Sequence, residues 1–494
     1  MSASRSRNGL WMGRRVFGST LSAAMAGLSG ASKGWAATAA FKATPVRCPA
    51  LEHEIRHVAA RIADQKLANL FSRCLPNTLE TAVVQGELDG RPDTFVLTGD
   101  IPAMWLRDSA CQLHPYVAFA KGDKGLTRLF HGLFNRYIRS IAIDPYANAF
   151  WRDPVDTRRL DWAVHDETEM RPGVAERKWE LDSLAFPIWI AHAYWRATGD
   201  GTPFDARWWE AMARIVAVFS EQRRLMGKGP YRFRRLSLQP SESQFGEGYG
   251  NPTRPVGLIH AGFRPSDDAC QYPFNIPGNL FAAHALRLMA EMARAMGGPT
   301  ALVEDAERLA ASVQRAAEDH GQIRDRDGAV FWAYEVDGYG NTLFMDDANL
   351  PSLLSLPWLG IRTARDPVYV QTRKRVWSDA NPWFFTGRFG SGIGGPHEGA
   401  RMIWPLSLVT LAMTSRDDLE IASCLRELRD TDAGTGLLHE SFDVDDPAKF
   451  TRPWFAWVNG MFGELILDLA RHRPDLLRRP LPARYVGALS LSRP

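Results

Sequence analysis

An all-α chain folded as an (α/α)6 barrel, a ring of helical hairpins carrying short β-hairpin insertions, is the architecture this 494-residue sequence predicts, on three observations. Apolar residues recur at three- and four-residue spacing in about a dozen segments spread from end to end. Those segments are of two kinds. Some are amphipathic with a charged face, such as "ALVEDAERLAASVQRAAEDH"; others, such as "LDSLAFPIWIAHAYW", "GNLFAAHALRLMAEMA" and "WFAWVNGMFGELILDLA", are apolar nearly all round and must be buried on both sides. No sequence repeat, low-complexity stretch or Pro/Ser linker divides the chain after its N-terminal segment, which favours a single domain over residues 40–494 and speaks against a helical solenoid.

Taken in order, residues 1–39 are set aside first. They carry Arg5, Arg7, Arg14, Arg15 and Lys33 and no acid, and "GRRVFGSTLSAAMAGLSGA" places paired arginines before a short, weakly apolar run that ends near Ala37-Thr38-Ala39. This is the pattern of a bacterial twin-arginine export signal, removed to leave a periplasmic protein. The run is too short and too polar to span a bilayer comfortably, so no stable membrane insertion is expected once it is gone. The periodicity then predicts helices near 51–74, 103–121, 124–142, 180–198, 203–226, 276–296, 300–319, 351–360, 366–378, 399–414, 416–429 and 455–472. Between them "TAVVQGELDGRPDTFVLTG" and "AVFWAYEVDGYGNTLF" read as hairpins with Asp-Gly turns.

Charge narrows the partner. The formal net charge is +3, but removing the five N-terminal cations leaves 54 basic against 56 acidic residues, about −2. No basic run, zinc-finger spacing or basic amphipathic helix remains, so a nucleic-acid partner is excluded and a neutral molecule is expected. The five cysteines, Cys48, Cys74, Cys111, Cys270 and Cys424, have no metal-ligand spacing. Cys48 with Cys74 is one pairing an oxidising compartment would permit, and buried thiols are the simpler reading.

Polar and aromatic residues interrupt the apolar pattern where loops enter the buried helices: "TGDIPAMWLRDSACQ", "KWELDS", "GFRPSDDACQYPFNIPGN", "LFMDDANLPSLLSLP", "GRFGSGIGGPHEGARMIWPLSL" and "GLLHESFDVDDPAKFTRPWFAWVNGMFGEL". If the inner helices run parallel, these six junctions meet at one mouth. Singly, each has a bland reading. Asp108 or Asp267 could cap a helix, Arg107 beside Asp108 could be a buried ion pair, and the tryptophans could be core. Together, such groups are expensive to bury unless they serve a pocket for a polyhydroxylated ligand, with Trp for sugar faces and Asp and Arg for hydroxyls. Seventeen tryptophans agree with that.

Cleaving a glycosidic bond takes an acid for the leaving oxygen and a second carboxylate as base or nucleophile. Asp267, Asp268 and Glu440 are candidates, with Asp346, Asp347, Glu398, Glu180 and Asp182 as rivals, and spacing does not choose among them. His260, His397 and His439 lie near acids but without HxH or HExxH spacing, so neither a metal nor another cofactor is expected. No G-x-S-x-G elbow, Rossmann or P-loop glycine pattern is present.

These motifs, with "WELDSLAFPI", "YPFNIPGNLFA", "GGPHEG" and "IWPLSL" in order, resemble glycoside hydrolase family 125 over about residues 50–475. The departures, Ala110-Cys111 after "WLRDS" and "LAFPI" after "ELD", touch no proposed catalytic group. The resemblance implies an exo-acting, inverting, metal-independent α-1,6-mannosidase on an (α/α)6 barrel, acting on a mannose-containing oligosaccharide or glycan and expected as a monomer. It implies that the acid lies in "RPSDDA", assigned to Asp267 with Asp268 its rival, and that the base is Glu440. Trp105, Arg107, Asp108, Asp268, Asp347, Asn349, His397, Arg452 and Trp454 are then the expected mannose contacts. Two other readings stand beside it: an α/α-toroid polysaccharide lyase, which would want a Tyr or His base, and a non-catalytic glycan-binding protein.

Overall fold

The computed structural model describes residues 42–481, all but the first of them within one compact unit that begins at Ala43. The export-type segment 1–39 lies outside the described residues. The helices are α1 (Pro49–Ala59), α2 (Gln65–Cys74), α3 (Leu106–Leu113), α4 (Lys124–Ile143), α5 (Asp182–Thr198), α6 (Ala206–Glu221), α7 (Ile276–Ala295), α8 (Thr300–His320), α9 (Pro367–Val376), α10 (Pro405–Thr414), α11 (Asp418–Asp430), α12 (Ala456–His472) and the short α13 (Pro474–Arg478).

The two kinds of helix begin differently. Amphipathic α2, α4, α6, α9 and α11 start at Asp64, Asp123, Asp205, Asp366 and Asp417, whose carboxylates accept the first free backbone N–H groups. The apolar helices α3, α5, α7, α10 and α12 instead emerge beside extended backbone. Strands Met104–Trp105, Phe274–Asn275 and Met402–Ile403 lead into α3, α7 and α10, and bridges Glu180↔Phe263 and Gly99↔Phe455 stand before α5 and α12. Apart from Asn275, whose side chain accepts the Gly278 N–H at the start of α7, polar residues at these starts are therefore free of capping duty. The apolar helices pack on one another in the order α10, α12, α3, α5, α7, while α4, α6 and α8 pack side by side outside them. This helix-rich arrangement is consistent with an α/α toroid.

Four expected elements differ. Segment 51–74 is broken after Ala59, because Asp64 starts a second helix. The helix expected over 103–121 yields a strand, α3 and a 3-10 turn that starts before Pro115. The one expected over 399–414 starts only at Pro405. The helix expected over 351–360 is a series of turns. Pro351 and Pro357 remove two N–H donors, and the buried Asp346 carboxylate accepts the N–H groups of Leu353 and Leu354 at 2.8 and 2.9 Å.

The first hairpin forms as expected: β1 (Val83–Leu88) pairs antiparallel with β2 (Arg91–Val96), and Asp89 and Gly90 both take positive φ at the turn. In the second, Glu335–Val336 pairs with Thr342–Leu343 and also with Phe274–Asn275 ahead of α7. All five cysteines are buried and unbridged, and burial raises the pKa of each thiol. Among the described residues no helix is long and apolar enough to cross a membrane.

Candidate active site

The six polar junctions do meet. A cavity of about 680 Å³ takes Trp105, Arg107 and Asp108 from the first, Lys178 from the second, Ser266 and Asp267 from the third, Asn349 from the fourth, His397, Glu398 and Trp404 from the fifth, and Glu440, Thr451, Arg452, Phe455 and Trp457 from the sixth. Several buried polar atoms of this lining have no hydrogen-bond partner: Trp105 Nε1, Asp108 Oδ1, His397 Nδ1 and Trp404 Nε1. Such atoms cost free energy unless a ligand serves them.

On one wall a tight loop presents Asp267. Arg264 N–H donates to the Asp268 carbonyl at 2.7 Å and Asp267 N–H to the Arg264 carbonyl at 3.0 Å, which drives Asp267 to φ 66°, an uncommon state for a residue with a Cβ. The Arg264 guanidinium anchors the loop to Glu335 at 2.5 Å. Asp267 Oδ1 lies 3.1 Å from Asn148 Nδ2 and 3.9 Å from an Arg107 nitrogen, and Lys178 Nζ donates to its main-chain carbonyl at 2.7 Å.

Behind it, Asn148 Nδ2 also reaches Glu180 at 3.0 Å and Glu176 at 2.9 Å, and Arg107 Nη1 holds Glu180 at 2.6 Å and Asp182 at 3.1 Å. Burial pushes the Glu180 carboxyl well above the usual range, with the neighbouring Asp267 charge adding to it. Burial would raise Asp267 too, but the hydrogen bond from Glu180 and the charges of Lys178 and Arg107 outweigh it and hold Asp267 low. Of the two, Glu180 is therefore the group on which a proton is favoured, and Asp267 the one favoured as the carboxylate.

Across the cavity, Leu438 N–H donates to the side chain of Asn459 on α12 at 2.9 Å, fixing the chain ahead of Glu440. Thr451 Oγ1 donates to Glu440 Oε2 at 3.1 Å, and Arg452, at φ 47°, stands 3.5 Å from Oε1. Arg452 is itself held by Asp100 at 2.7 Å. Burial lifts the Glu440 carboxyl to about 7; Arg452 and His397 pull it down, and Glu398, which is hydrogen-bonded to it, pushes it up. Burial works against a charge on His397, but Asp268, Glu440, Asp267 and Glu398 outweigh it and raise the imidazole to about 9. His397 is thus an imidazolium at neutral pH.

The remaining expected contacts divide. Trp105, Arg107, Asp108, Asn349, His397 and Arg452 line the cavity, whereas Asp268, Asp347 and Trp454 do not. Asp268 sits behind the wall, accepting from Ser266 Oγ at 3.1 Å, and burial raises its pKa. Asp347 binds the backbone and side chain of Asn349 at 3.0 and 3.1 Å. Trp454 turns its indole to Asn77 at 3.2 Å, and its carbonyl presses on Gly99, where a Cβ would lie 2.1 Å from that oxygen. Phe455 and Trp457 supply ring surface instead. Asn148 and Lys178 are not among the expected contacts; "DPYANAF" has no motif to mark Asn148, while Lys178 opens the junction "KWELDS" without a role that spacing could assign.

A model of the metal-independent α-mannosidase family (GH125) matches residues 64–467. The chain belongs to this family. It is a glycoside hydrolase by that membership. The chain is 42% identical to the Meiotically up-regulated gene 157 protein of Schizosaccharomyces pombe over 450 residues, 87% of each chain. It is 38% identical to a metal-independent α-mannosidase of Streptococcus pneumoniae, solved as a non-productive complex with α-1,6-mannobiose, with a TM-score of 0.81 over 86% of this chain and 98% of that one. A bacterial glucoamylase complexed with acarbose shares the fold alone, at 11% identity and a TM-score of 0.52 over 86% of this chain and 60% of that one.

Proposed function

We infer that this family member is an exo-acting, inverting α-1,6-mannosidase on a closed (α/α)6 barrel, exported as a monomer to the periplasm by residues 1–39. The observation that carries the reading is the single cavity onto which Asp267 and Glu440 both face, in a chain similar to a mannosidase that binds α-1,6-mannobiose. Asp267, drawing on the proton favoured on Glu180, protonates the oxygen leaving from the terminal mannose. Glu440 deprotonates a water that attacks the anomeric carbon from the opposite face, which inverts configuration. Arg107, Asp108, Asn349 and Arg452 are the hydroxyl contacts, with Trp105 or Trp457 against the sugar face. Asp268 and Asp347 support that wall from behind.

One observation favours exchanged roles: in the free site Asp267 is held ionised and Glu440 lies near 7, which suits a base and an acid respectively. Leaving-group dependence separates the two. An aryl mannoside with an activated leaving group needs no acid, so Asp267→Asn should spare that substrate far more than mannobiose, while Glu440→Gln should lose both. The opposite pattern assigns Glu440 as the acid. A panel of mannobioses tests the linkage, and proton NMR of the first-formed sugar tests inversion; α-mannose appearing first contradicts it.

A further inference from the structure

The outer rim of the cavity is unlike its interior. Trp162 lines it with its indole N–H on Glu176 at 3.0 Å, and Leu236 and Leu238 line it at 86% and 103% exposure. These leucines are not fraying chain. They follow strand Arg234–Arg235, paired with Asp166–Glu167, and the buried Arg235 guanidinium is fixed to Asp166 at 2.6 and 2.9 Å, Glu176 at 2.9 Å and Glu242 at 2.6 Å. A firmly rooted segment that holds large apolar side chains in solvent beside a sugar-type pocket needs a reason.

Beyond the rim lies a second hollow of about 420 Å³, whose lining shares Ser237 and Gln239 with the first. It adds Ser243, Gln244 and Phe245. Phe245 is 57% exposed, and Gln239, exposed and shared by the two linings, offers its carboxamide; Gln244 is buried with its amide nitrogen packed toward Gly262. Ring surface beside hydroxyl and carboxamide groups is the mixture that suits a saccharide, with an apolar face to cover and hydroxyls to bind.

We propose that this hollow is a distal saccharide subsite that receives the units beyond the second sugar of a chain whose non-reducing end occupies the main cavity. The proposal rests on the mannosidase reading and adds a substrate class: linear oligosaccharides of three or more units are preferred to disaccharides. The occupant is the same glycan because Ser237 and Gln239 belong to both linings, so the two hollows are neighbours along the rim. Phe245 supplies the stacking surface, and the exposed Gln239 carboxamide a donor and an acceptor.

The test compares α-1,6-mannotriose with α-1,6-mannobiose. The ratio of their kcat/KM values should exceed unity by about five- to tenfold in the natural chain and fall toward one in Phe245→Ala. A ratio near one in the natural chain, or one that Phe245→Ala does not move, overturns the subsite. Saturation-transfer NMR on Glu440→Gln reads the same question without turnover: the third unit should receive signal, and should lose it when Phe245→Ala is added. Binding of mannotriose with no contact at its third unit sinks the subsite alone, whereas no binding of either mannoside sinks the mannosidase reading.

Discussion

Asn148 Nδ2 stands 3.1 Å from Asp267 Oδ1, and the same nitrogen is within 3.0 Å of Glu180 Oε1. One carboxamide therefore spans the two acids. Replacing it with alanine removes a charge-assisted hydrogen bond worth about 1.5–3 kcal/mol. Asn148→Ala should lower kcat on mannobiose roughly ten- to hundredfold with little change in KM. A selective rise in KM would instead make Asn148 a ground-state contact.

The pH profile has a sign set by Glu440. With its carboxyl near 7, a base must be ionised, so kcat/KM should fall about tenfold per unit as pH drops below that value. Glu180, held well above its ordinary value by burial, keeps its proton to higher pH than a free carboxyl would, and its limb lies on the alkaline side of the Glu440 limb. A fall through 7 in the alkaline direction would mark Glu440 as the acid.

His397 sets where that limb lies. Its positive charge lowers the Glu440 carboxyl, so neutral glutamine should let Glu440 rise. In His397→Gln the acidic limb should move up by about one pH unit. A limb that stays in place would mean that the imidazolium does not act on Glu440.

Arg107 is a matter of stability as much as binding. It is buried among Glu180, Asp182 and Asp108, and removing it takes the counter-charge from Asp182 and Asp108 and a hydrogen-bond donor from Glu180. Arg107→Met should cost about 3–5 kcal/mol in chemical denaturation at neutral pH. The loss should shrink as the pH falls and the carboxyls can accept protons.

The inner and outer helices were legible because burial on one or both sides writes itself into periodicity, as in α8 against α7. What failed was local. "NLPSLLSLP" carries a helical spacing of leucines, yet Asp346 satisfies its first N–H groups in a turn and two prolines withhold others, a competition that periodicity does not register. The site was legible as six junctions because polar residues at the starts of apolar helices contradict the surrounding pattern. Asn148 and Glu180 were harder, since a lone Asn near a two-residue strand contradicts nothing, and a carboxylate gains its role only from partners far away in sequence. Trp454 erred toward the cavity because neighbouring aromatics in "RPWFAW" face different ways, and the chain's crossing at Gly99 decides which.

The five separate, buried thiols bear on where the molecule can acquire its final form. No covalent crosslink has to be made between them, so the polypeptide reaches its finished bonding pattern without an oxidant or an isomerase. It can be completed in a reducing solution, such as a tube containing dithiothreitol, and its thiols are shielded from the reagents that would otherwise scramble them.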